Sequence, residues 1–96
     1  MSFLMRWKID RLIRKQVLPK LAEAPVGTDE FIIDENSIRI RIIVDQNMNR
    51  KFVVHTKTNG RKSWSYTTYN ANSAIPAPMY SGSYPGDWKQ KGNKKE

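Results

Sequence analysis

The stretch SIRIRIIV, Ser37–Val44, decides the fold. Ile38, Ile40, Ile42 and Val44 fall on one face of an extended chain and Arg39, Arg41 and Ile43 on the other, because successive side chains of a strand point to opposite sides. If the isoleucine face is the core, both arginines must point away from it, since a slip of one residue would exchange the two faces. Reading outward from this strand, DQNMN (Asp45–Asn49) is a turn cluster, and Lys51–Lys57, with Phe52, Val53 and Val54, is a second strand. Asn59-Gly60 is a hairpin signal, because a type I′ turn needs positive φ at both central residues. Lys62–Tyr69, rich in aromatic and threonine residues, is a third strand, and Phe31–Ile33 is a short fourth at one edge.

Upstream the periodicity changes to that of a helix. Met5, Ile9, Leu12, Ile13 and Val17 recur at helical spacing over a segment from Phe3 to about Leu18, with Ser2 placed to cap it. Lys8, Arg11, Arg14 and Lys15 gather on the opposite side, with Trp7, Leu4 and Leu18 at its edge. Pro19, Pro25 and Gly27 are breaks, so the helix is expected to end by about Leu21. These elements predict an α+β fold in which an N-terminal amphipathic helix packs on a three- or four-stranded antiparallel meander. Residues 1–69 form this domain. Residues 70–96 hold three prolines, three glycines and three serines, and are expected to be an extended tail with little regular structure. Ile75, Met79, Tyr80, Tyr84 and Trp88 are costly to leave in water, so the tail is expected to dock on something.

A chain of 96 residues has room for one modest core, and its hydrophobic fraction of 39% lies below the globular norm of roughly 45–50%. With no cysteine there is no disulfide, thiolate metal site or cysteine nucleophile, which suits an intracellular setting. The charged residues spread through the first fifteen positions leave no apolar run for a signal segment or a membrane span, so a cytoplasmic protein without a membrane partner is expected. The net charge of +8 is patterned: residues 1–20 carry +5, 21–37 carry −5, 38–69 carry +6 and the remainder +2. An acidic belt thus lies between two basic segments.

Catalytic signatures are weak. His55 is the only histidine, so a multi-histidine metal site is excluded and any serine triad would depend on this one base. Asp34, Glu35 and Asp45 lie beside predicted turns, where carboxylates commonly cap. NGRKS (Asn59–Ser63) lacks the glycine spacing and the adjacent Gly-Lys of a phosphate loop. No enzyme activity, cofactor or metal is expected. Two binding surfaces are. The first combines Trp7, Arg11, Arg14 and Lys15 on the helix with Tyr84, Pro85 and Trp88 of the tail, since tryptophan and arginine are the commonest interface anchors. The second is Arg39, Arg41, Arg61, Lys62, Trp64 and Tyr66, where cations and rings together suit single-stranded nucleic acid or an acidic protein surface. Ile75-Pro76, Ala77-Pro78 and Tyr84-Pro85 also offer slow cis/trans exchange on which a prolyl isomerase could act.

The opening MSFLMRWKIDRLIRKQVLPK and the closing SAIPAPMYSGSYPGDWKQKGNKKE carry a further likeness. In size, lack of cysteine, basic character and proline-rich end, the whole chain resembles the anti-RecBCD accessory proteins of lambdoid phages. The resemblance rests on no specific motif and transfers no site residue. It implies a protein that performs no chemistry itself, but binds the host RecBCD helicase-nuclease and alters it, so that phage recombination replaces degradation. The residues by themselves allow a small basic adaptor that docks beside the DNA its partner holds.

Overall fold

The computed structural model describes residues 3–35, 37–57, 62–73 and 75–85. The helix comes first, as α1 (Phe3–Leu12), a π-helical segment (Ile13–Val17) and α2 (Leu18–Glu23) in unbroken succession. Five strands follow, β1 (Asp29–Asp34), β2 (Ile38–Val44), β3 (Arg50–Lys57), β4 (Trp64–Asn70) and β5 (Ala77–Tyr84), in one antiparallel sheet whose spatial order is the chain order. The α+β class and the meander are as the sequence predicts. Two expectations need correction: the sheet has five strands rather than three or four, and the segment 70–96 contributes the fifth. The Asn59-Gly60 turn, Arg61, Trp88 and the Ser2 cap lie outside the described residues.

The helix also runs past Pro19, to Glu23. A proline inside an α-helix removes one hydrogen bond and its ring clashes with the carbonyl four residues earlier. Here the Leu18 N–H reaches back five residues to the Ile13 carbonyl, a widened turn that makes Pro19 part of the first turn of α2, where a missing N–H costs nothing. The helix ends at Ala24, which is extended (ψ 134°), as expected of a residue that precedes a proline.

The core closes as the period-two pattern requires. Ile38, Ile40, Ile42 and Val44 are all buried, while Arg39, Arg41 and Ile43 between them are half-exposed. They pack with Ile33, Phe52 and Val54 against Ile9, Leu12, Ile13, Val17 and Leu21. This shared core draws on the helix and on β1, β2 and β3. On the same side of β4 and β5 the register places Ser65, Thr67, Ser81 and Ser83, hydroxyl side chains that need no apolar cover. The helix therefore roofs only part of the sheet.

Candidate functional site: a cationic helix arc and an aromatic sheet face

Two surfaces carry the candidate residues, one on each side of the molecule. On α1, a rotation of about 100° per residue sets Phe3, Leu4, Trp7 and Arg11 in one arc about 100° wide, opposite the buried Ile9. Three of them are large and apolar, yet Phe3, Leu4 and Trp7 are 82%, 74% and 53% exposed. The Arg11 guanidinium lies 5.5 Å from the Trp7 ring centroid, one turn along, so the pair is held ready in a cation–π arrangement. Arg14 and Lys15 follow on the same side, also exposed. Among the described residues Arg6, Arg11, Arg14 and Lys15 form no ion pair; only Lys8 does, at 2.8 Å from Glu35. Sequence reasoning found Trp7 and the cations but passed over Phe3, whose place on the same arc was the available signal.

On the open face of the sheet, Arg39 and Arg41 point away from the helix, as the alternation predicts. Neither is a free cation. Arg41 grips Asp29 through two hydrogen bonds, Nε to Oδ1 at 2.6 Å and Nη2 to Oδ2 at 2.8 Å, and Arg39 Nε donates to Asp34 Oδ1 at 3.0 Å. The register explains this. Asp34 is directly opposite Arg39, and Asp29 sits diagonally from Arg41, across a ladder in which such neighbours interact. The hydrogen bond to Asp29 raises the Arg41 pKa further above its usual value. The acidic belt of the sequence is thus the partner strand of the basic one.

Beneath the arginines lies an aromatic cluster centred on His55. Its ring is 5.7 Å from Phe31, 6.2 Å from Tyr66 and 5.8 Å from Tyr84, and its Nδ1 is 2.9 Å from the Tyr84 hydroxyl. Burial, with the Arg41 and Arg39 charges in support, pushes the His55 pKa down to about 4, so the ring is neutral at pH 7. Nε2 is buried and has no hydrogen-bond partner among the described residues. A neutral imidazole with one nitrogen taken by a tyrosine and the other shut away from solvent ties β3 to β5; it is not presented to a substrate. Trp64 is 7% exposed, with the Arg39 guanidinium 5.0 Å above its ring, so it offers no free face on which a base could stack. The Tyr66 ring lies against the backbone of β5, where a Cβ on Gly82 would come within 2.8 Å of its hydroxyl. Any larger residue at position 82 would require the Tyr66 ring to move.

The structure therefore divides the expected docking set. Trp7, Arg11, Arg14 and Lys15 share the helix side, whereas Tyr84 stands on the open face of the sheet, bound to His55, with exposed Pro85 after it. Of the nucleic-acid set, Arg39, Arg41, Trp64 and Tyr66 are brought to one face but already engaged, the arginines with carboxylates, Trp64 with Arg39 and Tyr66 with the His55 and Tyr84 rings, and Lys62 is exposed. A cleft of about 370 Å³ opens between the helix and the sheet, lined by Asp10, Ile13, Arg14, Leu18, Phe52, Tyr69 and Pro76. Among the described residues no group of three or more His, Cys, Asp or Glu side chains is arranged to hold a metal ion, and no helix is long and apolar enough to cross a membrane. No protein-family model matches the chain, and neither the curated proteins nor the solved structures contain a match to it.

Proposed function

We propose that the chain is a non-enzymatic accessory protein that acts by docking on a larger protein, and that the outward arc of α1 is its docking surface. Trp7 and Arg11 are the central anchors, with Arg14 and Lys15 beside them and Phe3 and Leu4 completing the apolar part. The single observation that carries this reading is the contrast between the two basic surfaces: Arg39 and Arg41 of the sheet are paired with Asp34 and Asp29, while Arg11, Arg14 and Lys15 of the helix have no such partner among the described residues and adjoin three exposed apolar side chains. Buried aromatic and arginine anchors dominate interface energetics, and an exposed tryptophan already stacked by an arginine pays little ordering entropy on binding. The likeness of the two chain ends to anti-RecBCD proteins makes a host helicase-nuclease of that class, reached in the host cytoplasm, the first partner to test. A prolyl isomerase acting on the late prolines belongs to the same proposal as a secondary partner.

The test is direct binding to purified RecBCD with nucleic acid digested away. Retained binding is the expected result, and Trp7→Ala should weaken it by about 2 kcal/mol, or roughly 30-fold, as truncating an interface anchor does. Absence of binding, or binding that vanishes with the DNA, removes the proposal. The rival reading is direct contact between single-stranded DNA and the Arg39, Arg41 and Tyr66 face. It requires affinity for naked DNA that falls with salt at about −0.7 per phosphate contact on a log-log plot.

A further inference from the structure

The two edges of the sheet are built differently. β1 exposes Asp29, Glu30 and Asp34, and charged side chains on an edge strand discourage another strand from pairing with it. β5 has no charged residue, and it lies within residues 63–86, an uncharged run of 24 in a chain whose charged fraction is 27%. Seven of the eight β5 residues are exposed, among them Met79 at 49% and Tyr80 at 57%, and Ile75 just before the strand is 80% exposed. Among the described residues no strand lies beyond it. Its first half is blunted, because Pro78 has no N–H to donate and the pairing with β4 shifts register between Thr68 and Tyr69. The stretch after it, Tyr80–Ser83, has neither device.

We infer that the Tyr80–Ser83 edge of β5 pairs with the same edge of a second copy of this chain, antiparallel, to form one continuous ten-stranded sheet in a twofold dimer. The occupant is argued from charge. Two chains of net charge +8 repel each other, and opposite each other the uncharged β5 edges bring no like charges together, whereas two β1 edges would oppose carboxylate to carboxylate. An antiparallel strand edge is also its own complement, since a twofold axis normal to the sheet matches each outward N–H with a carbonyl. That axis keeps the faces of the sheet in place. Both helices therefore stand on the same side, and a partner carrying two copies of the site recognised by the Trp7 arc would meet two arcs at once, with the gain in avidity that follows.

The pairing of a few residues, with Ile75, Met79 and Tyr80 as its apolar content, belongs to the small, transient class of interfaces, below about 1,200 Å². Its association is accordingly read by sedimentation over protein concentrations on the order of 10–300 μM. The mass should rise from 11.2 kDa towards twice that value, and amides within Tyr80–Ser83 should gain protection from hydrogen exchange over the same range. The double variant S81K/S83K, at two exposed positions, should remain a monomer throughout, while Trp7→Ala should dimerise like the parent. Three results would each overturn the inference: a parent chain that stays a monomer with no gain in amide protection, a dimer that survives S81K/S83K, or a dimer lost with Trp7→Ala. The readout involves no helicase-nuclease, so it fails or succeeds independently of the docking proposal.

Discussion

His55 shows how far a single residue's behaviour depends on neighbours distant in the chain. From the sequence it is a strand-surface histidine; in the fold its ring is walled in by Phe31, Tyr66 and Tyr84, the last 29 residues away. No local pattern announces such a partner. The consequence is a pH dependence with a definite sign. An unfolded histidine titrates near 6.5, and the folded one near 4, so between those values the unfolded chain binds more protons and acid favours it. The stabilisation is complete above about pH 6.5, declines as pH falls and is gone below about 4. Asp45 does not confuse the measurement: hydrogen bonds from the Asn49 N–H, the Asn49 side chain and the Asn47 N–H hold it below its ordinary 3.8, so its contribution is lost only in stronger acid. Urea midpoints at about pH 7.5 and about pH 5 should therefore separate for the parent chain and draw together for His55→Gln. Equal separation in both would show that His55 is not the responsible group.

At the scale of elements, β2 was the most legible part of the chain, because strict alternation over Ile38–Val44 admits one assignment of faces and the fold adopts it. The core stripe of the helix was legible for the same reason. Its length was not: Pro19 reads as a stop, and the wide turn that accommodates it depends on a backbone hydrogen bond from Leu18 to Ile13 that no residue type signals. β5 was missed because Pro76, Pro78 and Gly82 obscure it and because it lacks alternation; it is specified by β4 beside it rather than by its own sequence. The face assignment in β2 yields a paired prediction. Ile40 is fully buried, so Ile40→Ala should lose about 2–5 kcal/mol to lost transfer energy and the cavity left behind. Ile43, half-exposed on the other face, should lose no more than about 1 kcal/mol on the same substitution, having less area to return to water. The difference would appear in urea midpoints at unchanged slope; similar losses at both positions would contradict the register.

Across the whole molecule, the charge segments of the sequence correctly announced a patterned surface, but their sums concealed who pairs with whom. The belt at residues 21–37 and the strand after it become neighbours, so Asp29 and Asp34 neutralise Arg41 and Arg39 and leave the helix as the exposed cationic surface with hydrophobic side chains beside it. Sequence reasoning kept the sheet cations as a rival binding surface because ion pairing across a ladder is a property of register, which composition does not record. Apolar content told more: one face of a half-exposed sheet, one stripe of a helix and no cysteine left few ways for a chain of 96 residues to close.

The partial roof over the sheet has a mechanical meaning. A blanket of hydrocarbon anchors the end of the meander nearest the N-terminus, while at the far end the last hairpin hangs on its ladder and on the rings around His55. Such a molecule should fray in one direction, peeling from β5 inward long before the isoleucine strand lets go. In dilute solution, native-state exchange should accordingly find the slowest amides in β2 and β3 and the fastest strand amides in β5, and uniform protection across all five would mean that the unroofed hairpin is fastened as firmly as the rest.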